Sequence, residues 1–369
     1  MPGIRSATRR ALTAALALPL LAAALTACGY GSQAPKQEQA AFAPEGEQLS
    51  AGEVRVGYFP NLTHATALVG VEKGLIQKEL GGTRLAATTF NAGPSAVEAL
   101  NAGSVDIGFL GPSPSVNGYT RSHGGNLRII GGAASGGVKL VVDPDVIRTP
   151  ADVRGKRIAT PQKGNTQDVA LIHWIGEQGW SVDPESGKGD VSVVRSNNKV
   201  TPGAFRTGSI DGAWVPEPTA SQLVALGGEV LLDEAALWPD GEFVITNIVV
   251  SQRFLAEHPD VVEAVLRGTV RTNDWIDSHP DQAKAAANRA LERLSGKPLP
   301  SAVLDAAWPS IKVTDDPLAG TLRTQADWAA DAGLLADPEL DGIYDLRPLN
   351  AVLAAEGRPA VGDAGLGAR

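Results

Sequence analysis

The sequence has few of the residues and motifs that disulfides, metal sites and common catalytic centres require. Cys28 is the only cysteine among 369 residues, so an intramolecular disulfide is impossible. There is no Gly-x-x-x-x-Gly-Lys-Ser/Thr phosphate loop, no His-Glu-x-x-His motif and no Gly-x-Ser-x-Gly nucleophile elbow. The five histidines are scattered without metal-ligand spacing. We therefore expect neither an enzyme of the classes that these motifs mark nor a cofactor or metal.

An excess of basic residues is also missing. The formal net charge of the chain is −9 at pH 7. A nucleic-acid-binding surface needs clustered basic residues, so we do not expect nucleic acid as a partner. An anionic small molecule remains compatible with this charge, because backbone dipoles rather than net charge form such sites.

The N-terminal segment has the pattern of an export signal. Arg5, Arg9 and Arg10 precede the run Ala11–Leu25, which is rich in alanine and leucine. This run is shorter than the ~20 apolar residues that a membrane-spanning helix needs. A basic start, a short apolar run and small residues at its end predict a signal peptide over residues 1–27. The two arginines in sequence leave the choice between the general and the twin-arginine export route open.

Cys28 follows Leu25-Thr-Ala directly and resembles the lipidated cysteine of a bacterial lipobox. The alternative is that Cys28 is only a small apolar residue at the end of a signal. This alternative is weaker, because the chain has no second cysteine with which Cys28 could pair. We predict that a lipid on Cys28 anchors the exported chain to the extracytoplasmic face of the cell membrane. Residues 28–51 are rich in Gln, Ala, Pro and Gly and predict a flexible tether.

Two stretches of the chain, 105 residues apart, have nearly the same sequence. Ala99–Leu110 reads ALNAGSVDIGFL and Ala204–Val215 reads AFRTGSIDGAWV. In each stretch a helical pattern ends at a glycine, and a β-rich run follows. A chance match of a common helix-to-strand turn is the alternative. We favour a duplicated α/β unit, because two similar lobes that face each other form a cleft for a small molecule.

The rest of the body alternates between strand and helix patterns, which is typical of α/β proteins with mostly parallel sheets. We predict an α/β fold with two lobes and a ligand cleft between them. The chain is expected to cross into a second unit near Lys139–Val142 and to return near Phe243–Val250. The expected domains are a first lobe of residues 52–137 and 249–355, a second lobe of residues 138–248 and a frayed tail of residues 356–369.

The loops beyond the carboxyl ends of strands are the expected ligand site, because ligands of open α/β sheets bind there. These loops supply the candidates Tyr58, Asn61, His64, Gly93, Pro94, Ser95, Gly111, Pro112, Ser113, Asn165, Thr166, Gln167, Trp214 and Glu217. Ser135, Gly136 and Gly137 lie in another small-residue loop that could donate N–H groups or act as a hinge. A serine, threonine or asparagine in any single loop could simply cap a helix. Several such loops at one cleft favour an anion site, because glycine lets backbone N–H groups approach the ligand.

Trp214 and Glu217 form the candidate pair that discriminates best between ligands. An aromatic face can line a pocket, and a carboxylate can bind an amine. Together with an anion site, Glu217 would therefore favour a zwitterion. The alternative is that Trp214 belongs to the core and Glu217 is a solvated loop residue.

Over residues 53 to about 355 the chain resembles substrate-binding proteins of the nitrate/sulfonate/taurine class of ABC importers. The motifs that carry the resemblance are Val-Gly-Tyr-Phe-Pro-Asn-Leu-Thr-His64, Phe-Asn-Ala-Gly-Pro-Ser95, Ala-Gly-Ser-Val-Asp106, Ala-Ala-Ser-Gly-Gly137, Asp-Val-Arg-Gly-Lys-Arg-Ile-Ala159, Gly-Asn-Thr-Gln167 and Trp-Val-Pro-Glu-Pro218. The resemblance implies a type II periplasmic-binding fold that closes about a hinge. It also implies delivery of the ligand to a permease with a cytoplasmic ATPase. We expect the binding protein itself to be a monomer.

The resemblance makes an aliphatic sulfonate the leading ligand, with taurine as one candidate. One departure is that sulfonate binders often have Asp-Pro where this chain has Glu217-Pro218. Nitrate, bicarbonate and a pyrimidine precursor of thiamine stay open as alternative ligands. A pyrimidine would need Trp214 and Tyr58 as stacking walls, whereas nitrate would gain nothing from Glu217. A pyrimidine-forming enzyme on the same fold is a further alternative.

Overall fold

The strands in the described part of the protein form two sheets. The computed structural model describes residues 37–38, 45–336 and 338–368, so the predicted signal peptide and Cys28 lie outside the described residues. The strands within this part are β1 (Gln37–Glu38), β2 (Glu53–Tyr58), β3 (Arg84–Thr89), β4 (Ile107–Leu110), β5 (Leu127–Gly136), β6 (Val138–Val142), β7 (Arg157–Thr160), β8 (Ser192–Arg195), β9 (Gly212–Pro216), β10 (Glu229–Asp233), β11 (Val244–Ser251) and β12 (Ile311–Val313).

The two sheets correspond to two lobes. The seven-stranded sheet has the order β1-β3-β2-β4-β11-β5-β12, and the five-stranded sheet has the order β10-β6-β9-β7-β8. We call the elements around the first sheet the first lobe and those around the second sheet the second lobe. The expectation of mostly parallel sheets is wrong. Among the strand pairs of the described chain only β2–β3, β2–β4, β7–β8 and β7–β9 are parallel, because the crossing strands β6 and β11 run antiparallel to their neighbours.

Helices cover both sheets. The α-helices of the described chain are α1 (Ala65–Glu72), α2 (Leu75–Leu80), α3 (Gly93–Asn101), α4 (Pro112–Arg121), α5 (Thr166–Glu177), α6 (Thr201–Arg206), α7 (Thr219–Ala225), α8 (Gln252–Glu257), α9 (Pro259–Ser278), α10 (Pro280–Ser295), α11 (Ser301–Ala307), α12 (Ala319–Asp331) and α13 (Arg347–Ala355). Short 3₁₀ helices are found at Leu62–His64, Pro150–Val153, Glu234–Leu237, Pro239–Gly241 and Trp308–Ser310. Among the described residues, no helix is both long and apolar enough to span a membrane.

The duplicated unit has the same structure in both lobes. Strands β3-β2-β4 of the first sheet repeat as β8-β7-β9 of the second. Asp106 accepts hydrogen bonds from the backbone N–H and the guanidinium of Arg55, which is a residue of β2. Asp211 accepts the same set from Arg157, at β7. The aspartate that the two Gly-Ser-x-Asp turns share therefore ties each turn to the first strand of its unit.

The crossing from β5 to β6 runs through two glycines. Gly136 and Gly137 have φ angles of 77° and 74°, which non-glycine residues rarely adopt. The chain returns to the first sheet through β11. The sequence analysis ends the second lobe at residue 248, which lies within β11, but the whole strand belongs to the first sheet. The lobe boundaries of the sequence analysis stay predictions.

Both ends of the described body differ from expectation. The last part of the predicted tether, residues 45–51, packs against the body, where the Leu49 N–H donates to Thr83 Oγ1 at 3.1 Å and the Ser50 N–H to Asp260 Oδ2 at 2.8 Å. The predicted frayed tail also packs: Leu366 is buried, and its carbonyl accepts from the Gly342 N–H at 3.1 Å. In both segments backbone groups form hydrogen bonds with residues that are distant in the sequence, which no local pattern indicates.

Candidate functional site

Three α-helices begin at one cavity between the two sheets. Ala92, Gly111 and Asn165 directly precede α3, α4 and α5, and all three residues line this cavity of about 20 Å³. We call it the deep cavity. None of these three residues caps its helix with a side-chain hydrogen bond. Because the first N–H groups of a helix have no partner within it and carry the positive end of its dipole, the potential at this point favours an anion.

The side chains that line the deep cavity are neutral. Its polar lining residues in the described chain are Asn61, Thr63, His64, Asn91, Asn165, Thr166, Gln167 and Asn198. Burial lowers the pKa of His64 to about 3, so its imidazole is uncharged near neutral pH. The Phe59 N–H donates to His64 Nδ1 at 3.4 Å, which assigns the imidazole proton to Nε2. His64 can therefore donate a hydrogen bond here but supplies no positive charge.

The two lobes touch at the deep cavity. The Gly93 N–H of the first lobe donates to Asn165 Oδ1 of the second at 3.2 Å. A Cβ atom on Gly111 would lie 2.3 Å from Thr166 Oγ1, so a larger residue there would force the Thr166 side chain or the contact between the lobes to shift. The Thr166 hydroxyl is buried without a hydrogen-bond partner among the described residues, and so is that of Ser113. A buried unpaired hydroxyl is costly, so these groups suit a bound acceptor.

The structure brings part of the predicted site together. Six candidates line the deep cavity, namely Asn61, His64, Gly111, Asn165, Thr166 and Gln167. Gly93 joins them through its hydrogen bond to Asn165. Ser95, Pro112 and Ser113 lie in the first turns of α3 and α4 without lining the cavity. Pro94 lines a separate groove together with Lys163 and Glu185.

Trp214 is a core residue and not a wall of the cleft. It is fully buried in the second lobe and packs against Trp174, with 6.0 Å between ring centroids. Its Nε1–H donates to Glu234 Oε2 at 2.7 Å. The prediction that Trp214 contacts a ligand therefore fails, because this side chain lies on the core side of β9.

Glu217 is bound by the protein itself. Its carboxylate is fully buried and pairs with Lys139, with 2.8 Å between Oε1 and Nζ. The backbone N–H and the hydroxyl of Ser221 also donate to it, each at 3.0 Å. Lys139 in turn donates to Ser310 Oγ of the first lobe at 2.7 Å. The expected role of Glu217 as an amine ligand has no support in this geometry, since the carboxylate already has a cation and two further donors.

The remaining candidates also lie away from the cavity. Tyr58 is fully buried in the first-lobe core. Ser135 Oγ accepts from the Phe243 N–H at 3.3 Å, inside the protein. Gly136 and Gly137 form the crossing between the lobes, and the Gly137 carbonyl accepts from the Glu217 N–H at 2.8 Å. Of the two roles considered for this loop, its position fits the hinge.

Sequence reasoning missed eight residues of the lining. They are Phe59, Thr63, Asn91, Ala92, Pro161, Asn198, Pro216 and Ile245. Several of them are neighbours of chosen residues in the same loops. Asn198 follows the parallel strand β8, so the strand-end rule could have found it. Ile245 lies on the antiparallel strand β11, to which that rule does not apply.

A second, larger cavity adjoins the deep cavity. It has a volume of about 580 Å³, and Asn61, Asn91 and Asn198 line both cavities. We call it the outer groove. Its walls come from α6 and α7 of the second lobe and from α10 and the residues that follow α10 in the first lobe.

The sequence is similar to a known protein family and to a known binding protein. The NMT1-like family matches residues 47–291. The taurine-binding periplasmic protein of Escherichia coli (strain K12) is 30% identical over 256 residues, which cover 68% of this chain and 75% of that protein.

Solved structures share the two-lobed fold. The alkanesulfonate-binding protein of Xanthomonas axonopodis pv. citri, bound to MOPS, has a TM-score of 0.64 at 24% identity and covers 78% of this chain and 95% of its own. The periplasmic nitrate-binding protein of Synechocystis PCC 6803 has a TM-score of 0.71 at 15% identity, with coverages of 85% and 93%. At these identities the likeness establishes the fold. With its sequence match over most of the folded body, the chain belongs to the NMT1-like family.

Proposed function

We propose that this protein is the solute-binding component of an ABC importer and that it captures aliphatic sulfonates in the deep cavity. The observation that carries the proposal is the convergence of three α-helix N-termini on a cavity with a neutral polar lining. The similarity to a taurine-binding protein and to the fold of an alkanesulfonate-binding protein supports it. Export and a lipid on Cys28 would hold the protein at the extracytoplasmic membrane face, where a permease with a cytoplasmic ATPase receives the solute.

The chemistry of a sulfonate suits this lining. Its three oxygens share one negative charge and accept hydrogen bonds, which N–H groups in the first turn of α5 and the Thr166 hydroxyl can donate. Helices α3 and α4 contribute mainly their dipoles, because Pro94, Pro112 and Pro114 carry no N–H. Each helix N-terminus stabilises an anion by about 0.3–2 kcal/mol, depending on burial. No acidic side chain is among the described residues that line the cavity, so no negatively charged side chain there repels the sulfonate.

The engagement of Glu217 by the protein removes the advantage that a free carboxylate would give taurine over a simple alkanesulfonate. Taurine carries an ammonium group that needs a carboxylate or several acceptors when it leaves water. The carboxylate of Glu217 is engaged by Lys139 and Ser221. We therefore expect ethanesulfonate to bind at least as tightly as taurine.

Nitrate is the second candidate, and the small volume of the deep cavity favours it. A cavity of about 20 Å³ matches a compact anion better than a ring. Bicarbonate fits on the same grounds. The thiamine pyrimidine loses support, because Trp214 and Tyr58 lie in the cores and cannot stack on it. A pyrimidine-forming enzyme would convert its ligand, so recovery of unchanged ligand after incubation separates it from a binder.

Thermal unfolding and calorimetric titration of the purified protein test the proposal. The panel contains ethanesulfonate, taurine, nitrate, bicarbonate, sulfate and a hydroxymethylpyrimidine. A ligand at 100 times its Kd stabilises the folded state by about 2.7 kcal/mol. We expect stabilisation by ethanesulfonate. Stabilisation by nitrate or the pyrimidine, with no effect of any sulfonate, would overturn the proposed ligand class.

The substitution Gly111→Ala locates the site. Its methyl group would collide with Thr166 Oγ1, so the Thr166 side chain or the contact between the lobes must shift, and sulfonate affinity should fall by at least about tenfold. Gly176→Ala in α5 is the matched control, since a Cβ atom there meets nothing within 4 Å. Equal affinities of the two variants would remove the deep cavity from the binding site.

A further inference from the structure

We propose that Arg195 sets the affinity of the deep cavity for anions without touching the ligand. Its guanidinium neutralises the Asp168 carboxylate, which is buried in the first turn of α5, and the N-terminus of that helix is then free to attract an anionic head. This inference rests on the proposed function of the deep cavity. It adds a positioning residue that lies outside the cavity lining and that acts through a buried charge.

Asp168 lies directly behind the lining of the deep cavity. Asn165, Thr166 and Gln167 line the cavity, and Asp168 is the next residue of α5. Its side chain is fully buried and does not line the cavity. Because a helix rises about 1.5 Å per residue, Asp168 stands within one turn of the helix end that would hold the anion. An uncompensated negative charge at this position would oppose the binding of a second negative charge.

The Asp168 carboxylate holds the loop that leads into α5. Its Oδ1 accepts a hydrogen bond from the Thr160 hydroxyl at 2.7 Å, at the end of β7. Its Oδ2 accepts from the Gly164 N–H at 2.9 Å, directly before Asn165. These two contacts fix both ends of the loop 161–165 and keep the carboxylate beside the cavity. A cation must therefore offset its charge if the cavity is to bind an anion strongly.

Arg195 is the cation that meets this carboxylate. Its Nε donates to Asp168 Oδ1 at 3.0 Å and its Nη2 to Asp168 Oδ2 at 3.2 Å, which is the bidentate geometry of a strong ion pair. The Arg195 side chain is only 16% exposed, so water and salt screen the pair weakly. Nη2 also donates to the Pro184 carbonyl at 2.9 Å, which holds the guanidinium in place.

The other charged groups around this loop do not replace Arg195. Among the described residues, no second cation lies within 4 Å of the Asp168 carboxylate. Lys163 in the loop pairs with Glu185, and both side chains are exposed. Burial lowers the pKa of His64 in the cavity to about 3, so its imidazole carries no charge near neutral pH. The charge balance behind the cavity therefore depends on the pair of Asp168 and Arg195.

Substitutions at the two members of the pair should change anion affinity in opposite directions. The test is calorimetric titration of the purified protein and its variants with ethanesulfonate at pH 8. Arg195→Gln leaves the Asp168 charge uncompensated and should raise the Kd at least about tenfold. Asp168→Asn leaves the Arg195 charge uncompensated and should lower the Kd. A merely structural role of the pair predicts instead that both substitutions weaken binding.

Two further variants keep the test decisive where a single substitution disturbs the loop. Arg195→Lys keeps the charge and loses the bidentate fork, so its Kd should stay within about threefold of that of the unmodified protein. The double variant Asp168→Asn/Arg195→Gln removes both charges and should bind ethanesulfonate more tightly than Arg195→Gln alone. Thermal unfolding without ligand shows that each variant is folded.

Arg154→Gln is the matched control. Arg154 pairs with Asp190 at 2.8 Å in the same lobe, but it precedes β7, whereas the cavity loop follows that strand. The substitution removes the same charge from the other end of the strand and should leave the Kd for ethanesulfonate unchanged. An effect as large as that of Arg195→Gln would overturn the inference, because net charge rather than the buried pair would then explain the loss.

The outcomes separate this inference from the proposed function. Absence of ethanesulfonate binding by the unmodified protein overturns both. If the unmodified protein binds, equal weakening by Arg195→Gln and Asp168→Asn overturns the inference alone, and so does an Arg195→Lys protein that binds no better than Arg195→Gln. Weakening by Arg195→Gln that the lysine variant and the double variant reverse supports it.

Discussion

Replacing Glu217 by glutamine should destabilise the fold and leave the choice between taurine and ethanesulfonate unchanged. The substitution removes the partner of Lys139, whose side chain is only 14% exposed, while the shape of the site is kept. Breaking a buried ion pair by removing one partner costs about 3–5 kcal/mol. Glutamine can still accept from Lys139 and Ser221, so we expect about 2–3 kcal/mol. In thermal unfolding this corresponds to a fall in Tm of several degrees.

Glu229→Gln is the matched control for this experiment. Glu229 lies on β10 of the same lobe, is exposed and has no salt bridge to another described residue, so its substitution should change Tm very little. The ratio of the Kd values for taurine and ethanesulfonate should be the same in both variants and in the unmodified protein. A Glu217→Gln protein of unchanged Tm that loses affinity for taurine alone would refute this reasoning and return Glu217 to the ligand site.

Three further predictions concern titratable groups. Burial raises the pKa of Glu234 from 4.5 to about 7, so between these values the folded state retains a proton that the unfolded state loses. Stability should therefore fall as the pH rises through this window, by up to about 3 kcal/mol, and Glu234→Gln should flatten that part of the profile of Tm against pH. Burial lowers the pKa of His64 to about 3, so below pH 6.5 the unfolded state gains a proton that the folded state does not, and stability should fall. Sulfonate affinity measured by calorimetry should nevertheless stay constant from about pH 8 to pH 5, because no imidazolium forms in the folded protein. Asp106→Asn should cost more stability in urea unfolding than Asp211→Asn, about 2 against about 1 kcal/mol, because Asp106 is buried and Asp211 is only half-buried; equal costs would contradict the burial argument.

The sequence predicted those elements whose signals are local. Helices α9 and α10 begin at Pro259 and Pro280, and proline is a local signal for a first helical position, because its missing N–H is not needed there. The helix α4 was missed, since two prolines and a glycine within Pro112–Arg121 hide its helical pattern. Strand direction was wrong for the crossing strands, because the local pattern of a strand such as β11 does not say which neighbour it will pair with.

The site was predictable as far as loop position determines it. Asn165, Thr166 and Gln167 lie at the cavity because the carboxyl end of β7 and the start of α5 place them there. Glu217 was assigned to the ligand because its loop is also at a strand end. Its actual partner, Lys139, lies 78 positions away in the sequence and becomes its neighbour only through the pairing of β6 with β9. The position of a loop therefore predicts which part of the fold a side chain lies in. Which residues that side chain contacts depends on the pairing of strands that are distant in the sequence.

The contacts between the lobes indicate what a ligand must contribute to closure. At the deep cavity the lobes share the hydrogen bond from Gly93 to Asn165 and the close approach of Gly111 to Thr166. Water can satisfy both polar groups of that bond when the lobes separate, so its net contribution is about 1 kcal/mol. Moving a two-state equilibrium from mostly open to mostly closed requires about 5.5 kcal/mol of differential affinity. Under the proposed function, an anion that contacts the N-termini of α3 and α4 in the first lobe and of α5 in the second would supply part of this free energy, about 0.3–2 kcal/mol for each helix end, because separated lobes could not present all three ends to it.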